Sequence, residues 1–260
     1  IANAQGLDYL ILTDHDTLEG VAEITATAHP LGVRVIPACE ISCEVERGTM
    51  HLLVYFLDDA SGPLQDRLSF LQAARASRND RIIATLQDHG IAITLDEVLD
   101  EAGGGSVGRP HLAAVLVRHG YVDSIQQAFD VWLAKGRPAY LGRERLEPSE
   151  AIDLARRSGA VSVLAHPGTL GLEAAELDDF VGSLATFGLS GIEAEYGRYS
   201  RDERDAYHSL AARHGLCVTG GSDYHGSYKP GLFLGTGTGD LAVPDEYLTA
   251  LESALPAPHA

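Results

Sequence analysis

A chain of 260 residues with a formal net charge of −18 and a pI near 4.8 is long enough to bury a sizeable core, and its acidity argues against a basic face that grips duplex nucleic acid. Three cysteines, Cys39, Cys43 and Cys217, are too few for a disulfide framework, and Cys39-x3-Cys43 has no second pair to close a zinc clasp. No apolar stretch approaches the roughly 20 residues of a membrane span and no leader-like segment is seen, so the expectation is a cytoplasmic protein with reduced thiols and no membrane partner.

Short apolar runs alternate with helical patterns at both ends of the chain, which predicts βα units on a parallel sheet or barrel. The first run, Leu7–Leu12, is followed by a helix at about 17–29 and by Val33–Ile36; Arg47-Gly48 reads as a turn folding 41–46 back onto a strand that opens near Met50 and His51. From Pro63 the alternation stops. A long helix runs to His89-Gly90, Thr94-x-x-Glu97 spells a capping box, Gly103-Gly104-Gly105 reads as a flexible joint, and helices follow at about 110–119, 123–135 and 149–158. The barrel pattern then resumes with the runs 161–165, 191–194 and 216–218, helices at about 175–187 and 200–214, and a Pro- and Ala-rich tail after Leu255 read as frayed. The expected organisation is therefore an α/β barrel, 1–60 and 141–260, interrupted by a helical insertion at 61–140. Residues 61–150 carry a net −2 against −16 for the rest, so a basic surface facing a phosphate would include that segment.

The chemistry lies at the strand ends. Thr13-Asp14-His15-Asp16 follows the first run, Glu40 the second, His166-Pro167 the fourth, and Asp223 and His225 the last. The carboxyl ends of parallel strands are where α/β proteins gather catalytic groups, and the hairpin at Arg47-Gly48 returns His51 to the same mouth. A lone buried histidine is more often a satisfied core residue than a ligand; six such groups after successive strands, without basic partners beside them, favour a metal site. Mixed imidazole and carboxylate donors suit Zn, Fe or Mn, and a carboxylate such as Glu40 can bridge two ions. Paired metals about 3.5–4 Å apart clamp a phosphoryl group and supply hydroxide at neutral pH, so the constellation predicts metal-dependent phosphoester hydrolysis, with His15 or His225 assisting proton transfer. His29, His89, His119, His208 and His214 fall on predicted helices and are read as structural or solvated; His259, in the tail, carries no role.

With these residues in view, the sequence resembles the PHP (polymerase and histidinol phosphatase) superfamily, in the branch of AMP and nucleoside 3′,5′-bisphosphate phosphatases and 5′-to-3′ exoribonucleases. The resemblance rests on Leu12-Thr13-Asp14-His15-Asp16-Thr17, Pro37-Ala38-Cys39-Glu40-Ile41-Ser42, His51–Phe56, Gly108-Arg109-Pro110-His111, Gly136–Tyr140, Ala165-His166-Pro167 and Gly221–Gly226. It implies a distorted (β/α)7-type barrel with an inserted helical domain and up to three divalent metals, manganese foremost, with iron or zinc as alternatives. Glu40 would bridge two metals, Asp223 would hold the first, His51 and His166 the second, and His15 and His225 the third; Asp14 would orient a ligand. The family pattern opens with a strand ending in His-x-His, which this chain does not contain; since the chain starts at Ile1 rather than Met, the expectation is that the first strand and helix lie ahead of it.

Arginine forks suit phosphate, which makes Arg109 and Arg137, with His111, the substrate-binding candidates of the insertion; Lys229 is a fourth. For Arg109 a helix-capping role is an equal reading. Tyr196 and Tyr199 either stack on a base or pack at the rim. The implied substrate is a small nucleotide or a short oligonucleotide 5′ end, because nothing offers an extended basic track. A histidinol-phosphate-type phosphatase and a non-catalytic phosphate-binding module are the competing readings.

Overall fold

The computed structural model describes residues 1–58, 61–103, 107–142, 144–226 and 229–256. Of the sequence expectations, Gly104 and Gly105 of the glycine joint, His259 and the last four tail residues lie outside the described residues. The chain divides into two compact units, Ile1–Asp66 with Leu146–Ala260, and Arg67–Arg145.

The first unit is built on six strands, β1 Tyr9–Leu12, β2 Arg34–Cys43, β3 Met50–Tyr55, β4 Val161–Leu164, β5 Gly191–Tyr196 and β6 Cys217–Gly221, ordered β1-β2-β3-β4-β5-β6 in one mixed sheet. All neighbours are parallel except β3, which is antiparallel to both β2 and β4. In a flat sheet, strands about 4.8 Å apart would put β1 and β6 about 24 Å from each other. Yet the rings of His15, just past β1, and His225, just past β6, have centroids 6.5 Å apart, so the sheet is curled. Its interior is filled by Ala38, Leu53, Tyr55, Val161, Val163 and Ala165.

One strand differs from the sequence reading. The runs around Val33–Ile36 and residue 41 are a single ten-residue strand, β2, and Glu40 lies inside it rather than after it. The strand carries Pro37, which cannot donate to a ladder. It sits where β2 changes partners: the pairing to β1 ends at Leu12↔Pro37, and the pairing to β3 begins at Ala38↔Tyr55. The lost donor therefore falls at a seam. The expected hairpin forms, with Ser42 opposite His51 and Cys43 opposite Met50.

Helices α1 Glu19–Ala28, α6 Pro148–Arg157, α7 Ala174–Phe187, α8 Arg201–Arg213 and α9 Glu246–Ser253 belong to this unit, and Leu251 of α9 packs into the interior cluster of the sheet. Helix α2, Pro63–Asp88, begins in the first unit and runs into the second, which also holds α3 Leu95–Ala102, α4 Arg109–Arg118 and α5 Ile125–Ala128. The second unit has its own core, in which Ile82, Leu86, Ile93, Leu112, Leu116 and Leu133 are fully buried. Its α3 starts at the capping box read in the sequence: Thr94 Oγ1 accepts from the Glu97 N–H at 3.3 Å, and Glu97 Oε2 accepts from the Thr94 N–H at 2.8 Å. The predicted helix at 123–135 is shorter, α5 passing into a single π turn at Phe129–Leu133.

Candidate metal centre

Glu40 is the hub, and backbone pairing puts it there. Its N–H donates to Asp14 O at 3.1 Å and its carbonyl accepts from the Asp16 N–H at 2.9 Å, an isolated parallel bridge that ties the segment after β1 to β2. Asp16 Oδ1 accepts the Ser42 N–H at 2.9 Å and extends that seam. Across the hairpin His51 faces Ser42, two residues from Glu40 and on the same face of the sheet. The Ala165 N–H donates to His51 O at 3.1 Å, which brings the next residue, His166, alongside.

The two oxygens of the Glu40 carboxylate face different histidines. Oε1 lies 2.6 Å from His51 Nδ1 and 3.0 Å from His166 Nε2, and Oε2 lies 3.7 Å from His15 Nδ1. Around this hub the aromatic rings form a circuit. Centroids are 6.5 Å apart for His225 and His15, 4.8 Å for His15 and His51, 5.2 Å for His51 and His166, and 5.4 Å for His166 and Tyr196. Asp223 closes it, with Oδ2 accepting from the Tyr196 hydroxyl at 2.7 Å and Oδ1 3.1 Å from His225 Nδ1. All six residues read from the sequence as ligands thus meet at one mouth. His15, Glu40 and His51 offer ligand atoms within 4.8 Å of one another, and a mixed imidazole and carboxylate set fits a divalent transition metal.

The backbone is strained where these side chains leave it. Four non-glycine residues among those described have left-handed φ, Asp16 (57°), Phe56 (63°), His166 (25°) and Asp223 (49°), and three of them are at this mouth. Such conformations cost about 1–3 kcal/mol each and persist only where the surroundings over-determine them.

The electrostatics follow from burial and pairing. Burial opposes ionisation of Glu40, but hydrogen bonds from His166 and His51 and the charge of His15 outweigh it and hold the carboxyl well below its usual range. Burial likewise opposes the charge on Asp223, and bonds from His225, Lys229 and Tyr196 reverse the balance and hold it low. His225 is raised, first by its bond to Asp223. Burial raises Asp14, against the lowering charges of His15 and His225.

The substrate-binding candidates are placed as follows. The Arg109 guanidinium donates to Leu133 O at 3.0 Å and lies over the rings of Tyr140 and Phe129, 5.2 and 6.0 Å from their centroids. His111 Nδ1 accepts the Gly108 N–H at 3.1 Å and so caps α4. Arg137 is exposed. Lys229 Nζ is 2.6 Å from Asp223 Oδ2, an ion pair inside the candidate centre. Tyr196 and Tyr199 are both buried, and the Tyr199 hydroxyl accepts the Gly168 N–H at 2.8 Å. Their rings pack at the rim, and neither offers a free face to a base.

Two participants escaped the sequence reading: Glu193, and Tyr196 as a partner of Asp223. Glu193 is buried, Oε2 accepts the His166 N–H at 2.8 Å, and burial pushes its carboxyl up to about 7. The pairing of β5 with β6 shifts register between Glu193 and Glu195, a bulge. Glu193 turns to the interior, whereas Glu195 reaches His208 and Arg204 of α8, at 2.9 and 3.5 Å. The signal that could have found the bulge is Gly220-Gly221. A Cβ on Gly220 would stand 2.5 Å from Glu195 Cβ, and one on Gly221 would stand 3.2 Å from Glu193 Oε1.

No family model matches the chain, but individual proteins do. It is 29% identical over 235 residues to a 3′,5′-nucleoside bisphosphate phosphatase of Chromobacterium violaceum, covering 90% of this chain and 82% of the relative. It is 32% identical over 221 residues to the 5′-3′ exoribonuclease Rnm of Escherichia coli, covering 83% and 74%. In three dimensions it is similar to a putative metal-dependent phosphoesterase from Bifidobacterium adolescentis, with a TM-score of 0.81 and 28% identity over 99% of this chain and 89% of the other. Together with the carboxylate and histidine circuit, these likenesses mean that the chain belongs to the PHP superfamily, in the branch of nucleoside bisphosphate phosphatases and 5′-3′ exoribonucleases, and is a phosphoric ester hydrolase.

Proposed function

We propose that this protein hydrolyses phosphomonoesters of small nucleotides, a nucleoside 3′,5′-bisphosphate or AMP, or acts at the 5′ end of a short oligonucleotide. The carrying observation is the division of the Glu40 carboxylate, Oε1 shared by His51 and His166 and Oε2 turned to His15. Under this reading Glu40, His15, His51, His166, Asp223 and His225 hold divalent metal, with manganese the expected ion. Bound there, the metal supplies positive charge to phosphate oxygens and acidifies water at neutral pH.

The protein's own groups supply the rest. His15 and His225 flank the mouth with their rings 6.5 Å apart, and one of the two is the proposed proton carrier. Asp223 sets the His225 ring through Nδ1, 2.8 Å from the Asp223 carbonyl oxygen. Asp14, whose carboxyl feels the charges of both histidines, is the proposed orienting group. Arg109, Arg137, His111 and Lys229 remain the candidates for phosphate on chemical grounds, since guanidinium and ammonium groups match phosphate oxygens. The helical segment 61–140 as the substrate-binding insertion, and a (β/α)7-type barrel with the family's His-x-His strand ahead of Ile1, belong to the same proposal and rest on the family pattern. Free nucleotides and RNA ends are cytoplasmic, which sets the expected location; among the described residues no helix is long and apolar enough to cross a membrane.

The test is product release with manganese, each arm with a chelator control: inorganic phosphate from adenosine 3′,5′-bisphosphate, AMP and histidinol phosphate, and mononucleotides from a 5′-phosphorylated oligoribonucleotide. Chelator-sensitive release from a nucleotide or oligonucleotide supports the proposal. Release from histidinol phosphate alone transfers it to the amine-phosphate class, and manganese binding without release from any substrate leaves a phosphate-binding module instead.

A further inference from the structure

We infer that the bulge in β5 serves to present two positioning residues, Glu193 and Tyr196, which hold His166 and Asp223 in the orientations their metal-binding role requires. The inference rests on the reading of those two residues as ligands and adds the parts that aim them.

His166 has to leave β4 and point its ring at Glu40. The β4 to β5 ladder runs Val163↔Gly191 and Leu164↔Ile192 and goes no further. Continued regularly, it would give the His166 N–H a main-chain partner on β5. That N–H donates instead to Glu193 Oε2 at 2.8 Å. A side-chain acceptor satisfies the buried donor while letting the backbone peel off the sheet into φ 25°, ψ 63°. This conformation is disfavoured for a residue with a Cβ and disfavoured again before a proline, here Pro167. Other contacts at His166 lock the ring: Nδ1 lies 3.2 Å from Thr169 Oγ1, and Nε2 lies 3.0 Å from Glu40 Oε1. On the strained main chain, the Thr169 N–H and hydroxyl donate to the His166 carbonyl at 3.0 and 3.1 Å, and the Glu193 carboxylate holds the N–H.

Tyr196 does the corresponding work for Asp223, whose φ is 49°. Its hydroxyl donates to Asp223 Oδ2 at 2.7 Å, and its buried ring is held edge-on by Tyr199 at 4.9 Å. Both contacts depend on the bulge. Along a regular strand residues 193 and 195 share a face and 196 takes the other. With the register shift Glu193 and Tyr196 both face inward while Glu195 is paired with α8. A bulge that re-aims side chains beside an active site is a recurrent device, and outer hydrogen-bond partners of ligands carry a large share of metal affinity.

The test is manganese binding by calorimetry, with free Mn(II) counted by EPR, on wild type, Glu193→Leu, Glu193→Gln and Tyr196→Phe; each variant's fold is checked by denaturant unfolding without metal. The leucine variant is expected to bind manganese about 10- to 100-fold more weakly. The glutamine variant keeps an acceptor for the His166 N–H and should recover affinity to within about threefold of wild type. Tyr196→Phe deletes one hydroxyl and should weaken binding about tenfold. Folded Glu193→Leu with wild-type affinity, or Gln no better than Leu, overturns the inference; should the leucine variant not fold, unchanged affinity in Tyr196→Phe overturns it alone. Wild-type protein that binds no manganese overturns the ligand reading and this inference together.

Discussion

Glu40→Gln is the most informative single change, because it keeps the shape of the hub and removes its charge. The wild-type carboxylate accepts from His51 at 2.6 Å and His166 at 3.0 Å while its other oxygen faces His15 at 3.7 Å. A hydrogen bond to a charged group contributes about 1.5–3 kcal/mol against about 1 for a neutral one. Glutamine retains one acceptor oxygen, so the two bonds together lose about 2 kcal/mol, and the amide turns its NH2 donor toward a histidine. Metal-free protein should therefore unfold at lower denaturant with an unchanged slope. Manganese affinity should fall by more than the roughly 10- to 100-fold that follows loss of an outer hydrogen-bond partner, because the lost charge belongs to the shared ligand itself. Unfolding in chelator, calorimetry with manganese and phosphate release on one preparation separate the terms. Wild-type affinity together with turnover within about threefold of wild type would refute the assignment of Glu40 as the shared ligand.

Three further expectations concern the second unit. Thr94→Ala removes the Oγ1 acceptor of the capping box at α3 and should cost about 1 kcal/mol, read as a shift in urea midpoint with activity retained. Arg109→Ala removes the bond to Leu133 O and the placement over Tyr140 and should destabilise by about 1–3 kcal/mol; unchanged stability with a raised KM would instead assign the guanidinium wholly to substrate. Burial lowers the His111 pKa from its ordinary 6.5, the charge of Glu101 opposing, so the unfolded chain takes up the proton first as pH falls. The stability contributed by the neutral ring is complete above that value and declines as pH drops from it toward the folded value. His111→Gln keeps an acceptor for the Gly108 N–H, and its unfolding free energy should decline less than wild type's between pH 7.5 and about 5; parallel slopes would contradict this.

Much of the site was legible before any coordinates, because strand-end chemistry leaves a local mark. An apolar run followed by Thr-Asp-His-Asp, by His-Pro, or by Ser-Asp-Tyr-His announces both a strand and what stands beyond it, and the turn at Arg47-Gly48 was enough to return His51 to the mouth. Less legible was Glu40. The sequence reading ends the second run at Ile36 and puts Glu40 after it, whereas the strand continues through Pro37, where it exchanges one neighbour for another.

Amino-acid order alone determined the alternation of strands and helices, the helical character of the middle segment and which six histidine and carboxylate side chains the strands carry toward one mouth, because periodicity, caps and turns act over a few residues. Only the tertiary structure decided that one carboxylate stands between three histidines, since that depends on the curl of a sheet whose edges meet again at His15 and His225. It alone decided the fates of Glu193 and Glu195. They are two residues apart and identical in type, and period-two reading sends them to the same face. A single register slip against Gly220-Gly221 sends one to the interior beneath His166 and the other out to His208, because the face a strand residue takes is set by its pairing with the neighbouring strand.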